Sequence, residues 1–184
     1  VNVMAGAVSI SHTGSANVAI DNGTTALNLG TVSVGQNFEA TSGNGITDSG
    51  VITVVGTSLF TSDVTGKVIT LDSTNAMAGA VSISHTGSAN VAIDNGTTAL
   101  NLGTVSVGQD FLARSGGVIT DSGVITVARA ATFVTDVNDI DIVLDSDNAI
   151  TGALTFTTQT SGSTNGADIT FDNGSTAISL SAFT

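Results

Sequence analysis

Proline, cysteine, tryptophan and tyrosine are missing altogether from the 184 residues, and basic side chains number three, Lys67, Arg114 and Arg129. Each absence removes a class of protein. Without cysteine there is no disulfide framework, although secretion is not thereby excluded, since a solenoid with a long continuous core needs no such staples. Three basic residues against 15 acidic ones give a formal net charge of −12. Nucleic acid is therefore not an expected partner, because phosphate contacts need clustered Lys and Arg. No run approaches the roughly 18 to 20 apolar residues of a membrane helix, and Val1 opens no basic-then-apolar signal segment. Helix formers are scarce, with Glu39 the one glutamate and Lys67 the one lysine.

What is present is a repeat. Met4 to Gln36 returns letter for letter as Met77 to Gln109, and a weaker third copy starts at Ile150. Self-similarity at fixed spacing signals stacked units, none of which buries its own core alone. The chain divides into repeat 1 at 4–76, repeat 2 at 77–149 and a partial repeat at 150–184, all in one solenoid segment. In the third copy about five extra residues enter around Ser161 to Gly166, where a loop is expected.

Glycine numbers 22, and Ser, Thr, Asn, Val, Ile and Ala fill most of the rest, a mixture that favours short strands joined by tight turns. The mean hydropathy of +0.40 fits strands whose inward half is Val, Ile, Leu and Phe. Gly6 to Ser11, Asn17 to Asp21 and Ala26 to Val34 alternate apolar with small polar residues and read as three strands, the last interrupted by Gly30. The remainder of the unit reads as two further sets of three. One column of large apolar residues, Ile10, Phe38, Phe60, Ile83, Phe111, Phe133 and Phe156, is spaced by 28, 22 and 23, and the same three gaps then recur in the same order. A second column runs Ile20, Ile46, Ile69, Ile93, Ile119 and Ile142.

These columns predict an all-β fold, a right-handed parallel β-helix (β-solenoid) of about seven coils, with about three strands per coil and three coils per repeat. Inward side chains then stack one strand spacing, about 4.8 Å, apart. Asn-Gly and Asp-Ser-Gly mark the corners, at Gly23, Gly96, Gly174, Gly50 and Gly123. An antiparallel sandwich is the rival arrangement, but a hairpin meander gives no reason for columns recurring once per three strands.

The segment Gly117 to Val127, G-V-I-T-D-S-G-V-I-T-V, has a fellow at Gly45 to Val54. Together with the following T-S-L-F-T or A-T-F-V-T, and then I-T-L-D-S-T-N-A-M-A-G-A-V-S-I-S, it resembles the repeats of very large bacterial surface proteins. These are the β-strand-repeat adhesins of filamentous-haemagglutinin-like and autotransporter-like type. The likeness covers nearly the whole chain. It implies an exported stalk or filament at the cell surface or outside the cell, and brings no ligand-binding residues with it.

Several residues are candidates for chemistry. Asp136, Asp139, Asp141, Asp145 and Asp147 form the densest run of charge, and Asp139, Asp141, Asp145 and Asp147 are the candidate calcium ligands. Neither an EF-hand loop nor the Gly-Gly-x-Gly-x-Asp nonapeptide is present, and the plainer reading is outward residues that keep the rod soluble. No cofactor is expected. Asp48 and Asp121, both in I-T-D-S-G, are candidate catalytic acids if the chain is a carbohydrate-active β-helix of hydrolase or lyase type. Such a site needs converging carboxylates and a sugar platform, which a chain without Trp or Tyr lacks, so turn formation is favoured and no enzyme is expected. His12 and His85 are repeat copies in S-H-T-G, expected about 14 Å apart in turns, too far to share a metal ion. Asn22, Asn95 and Asn173 open N-x-S/T acceptor patterns for glycosylation on one expected corner, with plain Asn-Gly turns as the favoured alternative.

The pattern is already running at Val1 and still running at Thr184. The expectation is an interior piece of a longer fibre, continued in the same chain or by copies stacked head to tail, with host or neighbouring-cell surfaces or glycans as further partners.

Overall fold

The computed structural model describes residues 2–62, 64–85, 87–159 and 166–183. Within them are 21 strands and no helix, and the strand pairs are all parallel. The chain is thus a parallel β-solenoid. Following Leu27 through its partners gives Ile46, Ile69, Val91, Phe111, Ala131, Leu154 and Leu180, seven steps up the rod. A further rung, Ala7–His12, lies beneath Leu27–Val34.

Hydrogen bonds join the strands into an 11-stranded and a 10-stranded sheet. The coil nevertheless has three sides, because two long strands, Leu27–Val34 and its copy Leu100–Val107, each turn a corner and serve two ladders. The first face rises through Val18–Asp21, Phe38–Thr41, Ser58–Thr61 and Val81–His85 to the second half of Leu100–Val107, then Ile125–Val127 and Ala149–Ile150. The Leu27 ladder is the second face. The third contains Ile10, Val32 and Ile52 in register, then Ala76–Met77, and above them Leu100, Ile119, Ile142 and Ile169.

The strand pairing corrects the expectation of three coils per repeat. A repeat does not close after three coils. Its ten strand segments occupy three and one third coils, so each copy sits one face further round than the copy before it. Ala7–His12 lies on the third face, its copy Val81–His85 on the first, and the next copy, Ala153–Gln159, on the second. The tenth segment comes from Leu27–Val34, where residues 30 and 31 face Ser9 alone and the extra residue turns the strand. Glycine is required on the rung above, where a Cβ on Gly50, stacked on the same corner, would lie 2.8 Å from the Gly30 carbonyl carbon; one on Gly30 would displace only the Ser9 hydroxyl, 2.6 Å away.

The apolar columns face inward as expected, but they step between faces. Phe38 and Phe60 are on the first face and Phe111, Phe133 and Phe156 on the second, and the longest of the three recurring gaps marks one coil plus one face. All five rings are buried. Phe133 and Phe156 pair in register and stack, with centroids 5.6 Å apart and planes at 21°, whereas Phe38 and Phe60 are offset by two residues and meet edge to face at 6.1 Å and 74°. Ala40 and Ala113 fill the registers beside Phe60 and Phe133, small against large, so the core closes without overpacking. In the lowest coil Ile10 and Ile20 point inward but are only half-buried. The expected insertion at Ser161 to Gly166 lies almost wholly outside the described residues.

Phe133 sits between Phe111 and Phe156, with centroids 6.0 and 5.6 Å away. Phe133→Ala removes both ring contacts and opens a cavity, and urea unfolding should lose about 3–5 kcal/mol. A loss below about 1 kcal/mol would mean that the column is not the core.

Candidate functional site: the buried corner carboxamides

The polar groups with the most elaborate geometry lie inside the corners. A strand ladder satisfies backbone groups only along the faces, and at a corner the chain leaves the ladder with donors and acceptors still to be matched. Buried asparagines match them. The Asn95 side chain is 0% exposed, between the second-face strand Val91–Asp94 and the third-face segment beginning at Leu100. Its Oδ1 accepts the Met77 N–H at 2.8 Å, and Nδ2 donates to the carbonyls of Met77, Thr98 and Ala99 at 3.0, 3.2 and 2.9 Å. In effect the carboxamide continues the ladder one rung above Met77 and fastens the turn that follows. Asn22 does the same for Met4 and Ala26, and Asn173 for Ile150, Thr176 and Ala177.

The three acceptor-pattern asparagines are therefore interior. Asn22 and Asn95 are 0% exposed and Asn173 4%, and the Nδ2 atom a glycan would occupy is spent on two or three backbone carbonyls. Nor do they form a row along one edge. Each follows a different face, since each repeat advances by one.

Asp48 and Asp121 belong to a second kind of corner. Asp48 Oδ1 accepts the backbone N–H groups of Asp72 and Ser73 one coil above, at 3.1 and 3.3 Å, and Oδ2 accepts Asn75 Nδ2 at 2.7 Å. Asn75 Oδ1 in turn accepts the Ile52 N–H at 2.8 Å. Asp121 repeats the set with Asp145, Ser146 and Asn148, and Asn148 accepts from Ile125. The two carboxylates lie on different faces and each is engaged within its own corner. Sequence reasoning missed Asn75 and Asn148, although both lie in D-S-x-N-A segments, at equivalent places in the two repeats, that were legible as corners.

Burial pushes the Asp48 carboxyl above its ordinary 3.8, with the Asp72 charge adding to it and the bonds from Asn75, Ser73 and Asp72 opposing. A carboxyl raised in the folded state is a cost when ionised. That cost is fully present above the folded value and vanishes below the unfolded one.

The remaining candidates do not converge. Asp141 Oδ1 accepts the Asp168 N–H at 2.8 Å, Asp139 lies at positive φ (59°) with its N–H bonded to Gln159, and Asp145 and Asp147 point to solvent. Among the described residues no three His, Asp or Glu side chains gather as a metal site would require. His12 is half-buried on the third face. His85 is buried on the first, donating from Nε2 to the Lys67 carbonyl, with Nδ1 unpartnered. A shallow trough of about 490 Å³ on the first face is lined by Thr57, Ser58, Ser82, Ser84, Thr104 and Ser106 with a few apolar neighbours, and no charged side chain enters it. Arg114 and Arg129 each face an aspartate, at 3.7 and 3.9 Å, on the exposed surface. No helix among the described residues is long and apolar enough to cross a membrane.

Two measurements probe the corners. Asn95→Ala strands four backbone groups in a dry corner and should cost at least about 3 kcal/mol in urea unfolding, whereas Asn44→Ala, at a side chain without hydrogen bonds, should stay within about 0.5 kcal/mol. On acidification, stability relative to Asp48→Asn should rise as pH falls through the raised value toward 3.8. A relative fall over that window would show that the carboxylate is favoured, not penalised, in its corner.

Searches of curated proteins and of solved structures returned no match. A family of repeats does match, once over residues 15–84 and again over 88–157, two blocks separated by the same interval as the internal copies. The blocks cover most of the chain and most of its rungs, and on that ground the chain belongs to the family described as Repeats of unknown function (DUF5649).

Proposed function

We propose that this segment is a structural repeat of a large secreted or cell-surface adhesin or extracellular filament, where it serves as stalk or fibre. The observation that carries the reading is the one-face advance per repeat. Identical outward sequence, such as Ser82 and Ser84 after Ser9 and Ser11, is presented on successive sides of the rod, about 16 Å further along each time. A uniform rod with no privileged side suits reach, multivalent display and assembly, and it suits poorly a single catalytic cleft. Side chains that a hydrolase would aim at substrate are already engaged: Asp48 and Asp121 accept hydrogen bonds from the coil above them. The acidic surface, with a net charge of −12, keeps like rods apart in solution.

The test is immunogold labelling of intact producing cells with an antibody to the folded segment. Gold held in rows or at a distance from the envelope supports a stalk or filament. Label confined to the cell interior, or polysaccharide cleavage by the purified chain, would contradict it.

A further inference from the structure

Asn-Gly is the dipeptide in which an asparagine most readily loses its amide. The backbone nitrogen of the glycine attacks Cγ of the asparagine, an N–Cγ bond forms, the Cγ–Nδ2 bond breaks, and ammonia leaves with the proton from the attacking nitrogen. Water then opens the resulting succinimide at either carbonyl to give aspartate or isoaspartate. The reaction needs a free carboxamide that swings onto a free neighbouring N–H. Asn22-Gly23, Asn44-Gly45, Asn95-Gly96 and Asn173-Gly174 all carry the dipeptide, and both asparagine and glycine are described at each.

Three of them are held away from that geometry at both reacting groups. In each the glycine N–H donates to the carboxylate of the preceding aspartate: Gly23 to Asp21 at 2.7 Å, Gly96 to Asp94 at 2.8 Å and Gly174 to Asp172 at 2.7 Å. In each the asparagine carboxamide is turned toward the coil below and bonded at both Oδ1 and Nδ2. Reaction would require breaking the glycine bond and three or four side-chain bonds in a corner that water does not reach.

Asn44 differs on every count. It is half-buried in the turn between Phe38–Thr41 and Ile46–Asp48, its side chain makes no hydrogen bond among the described residues, and no aspartate precedes it, Gly43 standing there instead. Only its own backbone N–H is engaged, by Ser42 Oγ at 3.1 Å. We propose that Asn44 is a spontaneous deamidation site of the folded chain, and that the corner network shields Asn22, Asn95 and Asn173 from the same reaction. Conversion at Asn44 adds one more negative charge to the corner and, as isoaspartate, one more backbone atom. The second repeat has Gly117 at the equivalent position, so this site is peculiar to the first.

The folded protein is incubated at mildly alkaline pH and sampled over weeks, with amide-to-acid conversion located by fragment-ion mass spectrometry and isoaspartate confirmed by enzymatic methylation. Asn44 should react at least about tenfold faster than Asn22, Asn95 or Asn173, the ratio given by a barrier difference of about 1.4 kcal/mol. In concentrated urea the four should react at comparable rates. Asn44→Gly, the residue of the second repeat, should abolish the folded-state signal while leaving the circular dichroism unchanged. Equal rates at all four sites in the folded protein, or an Asn44 as inert folded as its corner counterparts, would overturn the proposal.

Discussion

Every rung of this rod must be the same height as the next, because the strand backbones hydrogen-bond only to the coils above and below. That constraint governs the rest. A parallel ladder satisfies the backbone along a face at a fixed spacing of about 4.8 Å, and a coil that stalls or overshoots at a corner breaks register on the face that follows. Where the chain turns, polar groups fall out of the ladder, and this protein returns them to it with side chains that imitate the backbone. Asn22, Asn75, Asn95, Asn148 and Asn173 each offer one acceptor and a pair of donors at a buried corner, and each reaches the backbone one coil below. Leaving such groups unmatched in a dry interior costs about 1–3 kcal/mol apiece, which explains why a polar residue is retained where an apolar one would pack.

Packing and corner chemistry reinforce each other. The Phe column holds its rings at centroid separations of 5.6 to 6.1 Å, inside the range where aromatic pairs contribute beyond their burial, and neighbouring registers are relieved by Ala40, Ala113 and Ala131. With the core supplied by stacking and the corners by carboxamides, the outward positions are left largely to Ser, Thr and Asp, with Val51 and its copy Val124 among the exposed apolar residues. The outside of the rod is thus uniform for the same reason that the inside is periodic.

Much of this was legible in the residues. Alternation in G-A-V-S-I-S and N-V-A-I-D marked strands, and the recurring Phe and Ile columns marked a coil with parallel neighbours, because both signals come from side-chain burial. The one-face advance was encoded in the unequal gaps of the Phe column but was masked by Leu27–Val34, which reads as one strand although it bends at Gly30 and serves two faces. The buried roles of Asn22, Asn95 and Asn173 were hidden for another reason. Asn-Gly has the same signature whether its side chain faces solvent or completes a ladder, and only the rung below, one coil earlier in the chain, tells them apart. Asp48 presented the same difficulty, since its partners Asp72, Ser73 and Asn75 come from the next coil.

The central claim, that repeats stack in parallel and step one face at a time, is open to a direct test because the chain has no cysteine of its own. Spin labels are placed on two outward pairs that share Leu112: Ala92 with Leu112, register partners on the second face, and Ser84 with Leu112, which would be neighbours if each repeat closed after three coils. The account predicts strong dipolar broadening for Ala92/Leu112, whose positions lie one rung or about 4.8 Å apart, and little for Ser84/Leu112. Strong coupling in the Ser84/Leu112 pair, with the Ala92/Leu112 pair uncoupled, would contradict it.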